Sequence, residues 1–130
     1  MIDIRNTTRR SSPRIPFGRI AQDILPKEYS LSLVVCGDVL SRNINRSYRP
    51  LADKKNYSPN VLSFPIGKNE GEIFLNIRKA EREAKQFGMS AQKRIAHLFV
   101  HACFHLVGMK HGDTMERRER KVLRRFGYYI

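Results

Sequence analysis

The sequence predicts a small mixed β-sheet covered by helices, built as one domain over residues 1–130. Three observations carry this expectation. Strand-like and helix-like segments alternate through the first half of the chain, and the second half is mostly helical in its periodicity. At 130 residues, with 41% hydrophobic and 28% charged residues, the chain has the size and composition of one globular unit with a real core. No internal repeat or low-complexity tract marks a second domain.

The elements follow in order. Ile2 and Ile4 alternate with Asp3 and Arg5, which suits a short strand. Residues 7–16 form a turn region containing Ser and Pro, with Arg9, Arg10 and Arg14. Phe17, Ile20, Ile24 and Leu25 recur at helical spacing, and Pro26 stops that helix. Leu31–Cys36 is apolar, rich in β-formers and bounded by Gly37, as a buried strand would be. Asp38 is placed to cap a helix whose inward face is Leu40, Ile44 and Tyr48. That helix carries Arg42, Arg46 and Arg49 and ends at Pro50. A polar loop leads to a short strand, Val61–Phe64, closed by Pro65. The chain turns between Gly67 and Gly71, and Glu72–Asn76 forms the fourth strand. A charged helix, Ile77–Phe87, ends at Gly88. Ser90 caps the next, which runs through Ile95 and Leu98 to about Val107 and stops at Gly108. Asp113 is placed to cap a last helix with Met115, Val122, Leu123 and Phe126 on its apolar face.

The charge balance speaks about partners. Twenty-five Lys and Arg against twelve Asp and Glu leave a net charge of +13. An excess this large in so short a chain favours a polyanion, meaning RNA, DNA or an anionic membrane surface, over simple solubility. No apolar run approaches the ~20 residues that span a bilayer. The first residues lack the pattern of a signal peptide, so a cytosolic protein without a membrane partner is expected. Cys36 and Cys103 sit in apolar surroundings and read as core thiols.

All four histidines fall between His97 and His111. Residues four apart lie ~40° apart around a helix and ~6 Å along it, so His97, His101 and His105 share one face. Gly108 is ~16 Å along the helix from His97 but only ~10 Å from His101 and ~4 Å from His105. Three further residues reach at most ~10 Å. His111 can therefore fold back onto the His101/His105 pair, and these three are the expected metal ligands. His97 is left as a supporting neighbour of the ligands or a core histidine. Three nitrogen ligands fit one zinc ion, Zn2+, with a fourth position for water, which is the open arrangement of catalytic sites. Metallopeptidases place a glutamate directly after the first histidine as general base, and here that residue is Ala102, which argues against peptide hydrolysis.

The spacing His101, His105, Leu106, Gly108, His111 resembles the signature of the YbeY family of bacterial rRNA maturation factors, metal-dependent endoribonucleases. Asn45-Arg46-Ser47-Tyr48-Arg49 is similar to that family's helix end, and Asn60-Val61-Leu62-Ser63-Phe64-Pro65 to its strand motif. Gly71-Glu72-Ile73, the helix through Ala80-Glu81-Arg82-Glu83-Ala84 and the ending Met115-Glu116 through Gly127-Tyr128 agree as well. The resemblance covers nearly the whole chain. It implies an α+β fold with a four-stranded sheet, a zinc ion on the three histidines, and single-strand-specific RNA cleavage. It implies roles in 16S rRNA 3′-end maturation and ribosome quality control, with the rRNA precursor and the small subunit as partners and a ribosomal protein or assembly GTPase as a further one. The family's important arginine corresponds to Arg49, whose guanidinium would hold a phosphate beside the metal.

Three departures stand out. Ala102 replaces a usual glycine. Lys110 replaces a usual aspartate, which removes an acceptor beside the last ligand and adds a charge that could contact substrate phosphate. The loop from Arg49 to Asn60 is longer than usual, with Ser58-Pro59 for Pro-Thr. Arg46 joins Arg42 and Arg49 as an expected edge of an RNA groove. Arg117, Arg118, Arg120, Arg124 and Arg125 read instead as the solvated face of the last helix. The leading function is a zinc-dependent endoribonuclease, with water or the RNA 2′-hydroxyl as nucleophile. The alternative is a non-catalytic, zinc-stabilised rRNA-binding assembly factor.

Overall fold

The computed structural model describes residues 1–48 and 57–129. The chain runs β1 (Ile2–Asn6), α1 (Phe17–Ile24), β2 (Ser30–Cys36), α2 (Asp38–Tyr48), β3 (Val61–Gly67), β4 (Glu70–Asn76), α3 (Ile77–Phe87), α4 (Ala91–Leu106) and α5 (Asp113–Arg125). The strands form one mixed sheet in the order β1-β2-β4-β3. β1, β2 and β4 are mutually parallel, and β3 returns antiparallel along β4.

The near-continuous apolar run of β2 is explained by its central place, covered on both faces. Leu31, Leu33 and Val35 point into the main core with Ile73 and Leu75 of β4, and α1, α3, α4 and α5 close over that face. Val34 and Cys36 point the other way and, with Leu62 and Phe74, meet Leu40 and Ile44 of α2. The sheet thus separates α2 from α4. Nearly every side of α4 is apolar and buried, with Phe99, Val100 and Cys103 fully enclosed.

Several boundaries differ from expectation for local reasons. β3 does not close at Pro65 but continues to Gly67 through an irregularity in its pairing. Proline is tolerated there because β3 is an edge strand, with one side free of ladder bonds. β4 begins two residues earlier than Glu72, so the turn between them is only Lys68–Asn69. Ser90 caps α4 as expected, accepting from the Lys93 N–H at 3.1 Å, and Asn76 does the same for α3. Asp38 and Asp113 do not act as side-chain caps. Each is the first helical residue, and the Asp38 carboxylate is instead taken by Arg82 and Asn76, both at 2.9 Å. Tyr48 is not inward either. It is 65% exposed, with its ring 5.0 Å from that of Phe64. Arg49, Pro50 and the start of the following loop lie outside the described residues.

Candidate metal centre

The one polar stripe of α4 is Arg94, His97, His101 and His105, at the i, i+3, i+4 spacing that keeps residues on one face. It opens on a cleft of about 520 Å³. Asn60, Val61, Leu62 and Ser63 at the start of β3 form the opposite wall, and Met115, Glu116, Glu119 and Arg120 of α5 form the floor and rim. α4 ends because Gly108 adopts φ +87°, a left-handed conformation that glycine reaches without steric cost. The turn that follows brings His111 back over the helix end.

The rings of His101, His105 and His111 converge. Their centroids are 4.5–4.8 Å apart, and one candidate ligand atom from each lies within 4.8 Å of the others. Two of the three are oriented from behind. His101 Nδ1 lies 2.6 Å from Glu119 Oε2. Because a carboxylate accepts, Nδ1 carries the proton and donates it, which leaves the His101 Nε2 lone pair facing the cleft. His105 Nδ1 lies 3.2 Å from the Met109 carbonyl, so the same reasoning turns its Nε2 lone pair inward. The two Nε2 atoms face each other at 3.0 Å. Burial, followed by the neighbouring His101 and His111, lowers the His105 pKa and favours the neutral ring that binds metals. The three histidines can hold a metal ion.

Glu119 is the residue that sequence reasoning missed. It is only 4% exposed, and burial alone would raise its pKa. Hydrogen bonds and charge from His101 and His97 outweigh burial and hold the carboxyl at about 2, so it is ionised. Its second oxygen lies 3.7 Å from His97 Nε2. His97 is therefore a half-buried neighbour of the carboxylate that orients His101, in the cleft wall rather than the core. A readable signal existed: Glu119 stands among Met115, Val122 and Leu123 on the buried face of α5, where an acid needs a partner.

The other expected site residues are more scattered. Ala102 is buried in the cleft wall. Cys103 faces the core, where burial pushes its thiol pKa up and keeps it inert. Lys110 is exposed in the turn between α4 and α5 and does not line the cleft. Arg46 is exposed on α2, across the sheet from α4, and does not line the cleft either. Arg49 lies outside the described residues.

Residues 16–127 match the family described as Endoribonuclease YbeY. The chain belongs to the YbeY family. It is 32% identical to Endoribonuclease YbeY of Helicobacter pylori, over 93% of this chain and 86% of that one. It is 36% identical to Endoribonuclease YbeY of Methylocella silvestris over 79% of this chain, and spans 62% of the length of that relative. A Thermotoga maritima protein solved in solution shares the fold, with a TM-score of 0.69 and 20% identity over 95% of this chain and 87% of that one. No helix among the described residues is long and apolar enough to cross a membrane.

Proposed function

We propose that this YbeY-family chain is a zinc-dependent endoribonuclease that cuts single-stranded RNA, and that it works in the cytoplasm on the 3′ end of a 16S rRNA precursor and in quality control of the small subunit. The observation that supports the reading most is the pair of inward-facing Nε2 lone pairs 3.0 Å apart, with His111 beside them. Two such lone pairs repel unless a proton or a metal ion sits between them. Ligands held by a tetrahedral zinc ion at ~2.0–2.1 Å stand about 3.3 Å apart, close to the separation found here. An all-nitrogen set also suits zinc better than magnesium or calcium, which take oxygen.

Bound there, the ion supplies Lewis-acid polarisation of a phosphoryl oxygen or activation of a water molecule. The chain's own groups do the rest. Glu119 and the Met109 carbonyl hold the His101 and His105 rings in the ligating tautomer. Arg94, itself steadied by Glu83 at 2.9–3.0 Å, and Arg120 give the cleft walls positive charge for a phosphodiester. Arg49 would grip the scissile phosphate, with Arg46 and Lys110 contacting phosphates outside the cleft.

The test is metal content and cleavage of a 16S rRNA precursor fragment in wild type, His105→Ala and Arg49→Ala. Wild type should carry one zinc per chain and cleave until a chelator is added. His105→Ala should lose both metal and cleavage, and retained metal would sink the ligand set. Normal cleavage by Arg49→Ala would remove that residue from the reaction.

One observation favours the non-catalytic alternative. His101 and His105 belong to α4 while Glu119 belongs to α5 and His111 precedes it, so an ion here would also fasten the two helices. That reading expects His101→Ala to lose folding together with RNA binding, and a well-folded zinc-loaded protein to leave RNA uncut.

A further inference from the structure

Five basic residues of α5, a helix whose basic side chains read from sequence as a solvated face, line one shallow depression of the surface. Arg117, Arg120, Lys121 and Arg124 follow the i, i+3, i+4, i+7 spacing and form a stripe about 100° wide on a helix of 3.6 residues per turn. The stripe lies opposite the buried face of Met115, Glu119, Val122 and Leu123. With Arg125 it lines a surface depression of about 490 Å³ whose walls are all Lys or Arg. Arg125 is paired with Asp23. Among the described residues, no carboxylate pairs with Arg117, Arg120, Lys121 or Arg124. Four cations at close spacing, with no acid in ion-pair contact among the described residues, repel one another, and such a cost persists most readily where an anion relieves it.

Arg120 joins this depression to the metal centre. It lines both the histidine cleft and the α5 depression. Going round the helix from the cleft, Glu116 comes first, then Arg120, then the rest of the stripe. A strand leaving the cleft therefore meets Arg120 and passes directly onto Arg124, Arg117 and Lys121, which span ~10 Å along the helix. The surroundings also choose among polyanions. No large apolar side chain of α5 is exposed to anchor it in a bilayer, and the continuity with the cleft favours a phosphodiester backbone, which needs only the cations.

We propose that the α5 stripe is a backbone track for single-stranded RNA, continuous with the metal cleft through Arg120. The track rests on the reading of this chain as an RNA-acting protein, and it adds a second binding surface outside the histidine cleft. It takes phosphates without reading bases, because Arg and Lys on an open helix face present charge rather than a pocket.

The test uses the full chain loaded with zinc and oligouridylates of 5, 10 and 20 nucleotides, with binding followed by fluorescence anisotropy from 50 to 300 mM salt. The variant is Arg117→Ala/Lys121→Ala/Arg124→Ala, which spares the shared Arg120. Losing three phosphate contacts should lower the slope of log affinity against log salt by about 2 and weaken the 20-mer at least about tenfold. The loss should grow with oligomer length. A matched control, Arg5→Ala/Arg9→Ala/Lys27→Ala, removes equal charge near the β1 end of the sheet and should weaken the 20-mer less than about threefold. The set Arg117→Lys/Arg124→Lys keeps the charges and should keep the wild-type slope. Equal losses in the variant and its control, an unchanged slope, or α5-dependent binding to phosphatidylserine vesicles but not to the 20-mer would each overturn the track. Cleavage of the same oligomers is scored separately. Wild type that cleaves while the variant binds normally overturns the track and leaves the nuclease standing. Wild type that binds through α5 but never cleaves does the reverse, and wild type that does neither overturns both.

Discussion

Two of the carboxylates that join separate helices do so in opposite ways. Glu119 is buried at 4% exposure between His101 and His97, whereas Asp38 sits a third exposed between Arg82 and Asn76. Both have lowered pKa values. For Glu119, the histidine hydrogen bonds must overcome a larger burial effect. For Asp38, the Arg82 hydrogen bonds are the leading cause and burial is secondary. Arginine stays charged and offers a rigid fork, so Asp38–Arg82 pins α2 to α3 whatever else happens. Histidine has a second nitrogen to present elsewhere, so Glu119–His101 orients a candidate ligand as well as joining α4 to α5. Of these two, the carboxylate paired with histidine serves the site and the one paired with Arg82 serves the scaffold.

Removing each acid in turn should sharpen the contrast. Glu119→Ala should weaken zinc binding by about 10–100-fold, as loss of a hydrogen-bonded partner behind a ligating histidine does. Glu119→Gln keeps an acceptor oxygen and should fall between that variant and wild type. Competition titration against a chelator measures both, and wild-type affinity in Glu119→Ala would erase the distinction. Asp38→Ala should leave zinc affinity within about twofold and instead cost about 1 kcal/mol of stability, since the pair is largely solvated and Asn76 keeps its second bond to the Pro59 carbonyl. Denaturant unfolding reads this directly.

The smallest effect concerns acid. The folded Asp38 carboxyl titrates below its ordinary value of 3.8. The unfolded chain therefore takes up this proton first as pH falls, so the contribution is full above that value and disappears as pH drops through the folded one. Melting temperature should accordingly fall less steeply below pH 4 in Asp38→Asn than in wild type. Identical acid slopes would mean the ion pair adds nothing to stability.

Much of the site was legible because its parts are local. His101, His105, Gly108 and His111 lie within eleven residues, and helix rise and turn length dictate where they meet. Glu119 was not legible in that way, because it reaches His101 across eighteen positions from a different helix. The role of Asp38 was misread for a related reason. A residue suited to cap a helix can be claimed by a stronger partner that sequence does not place nearby, as Arg82 claims Asp38. Pro65 shows the same limit in the sheet, since its tolerance depends on β3 being an edge.

By itself the sequence determined the nine elements found among the described residues, most of the apolar faces that drive their packing, the convergence of three imidazoles and the excess of positive charge. These depend on periodicity, glycine conformation and composition, which act over a turn or two of chain. Only the tertiary structure decided the strand order, the placement of α2 across the sheet from α4, the carboxylate behind His101 and the link from the histidine cleft to the basic stripe of α5 through Arg120. Those are contacts between residues far apart in the chain, and they exist only once burial of the apolar faces has brought the elements together.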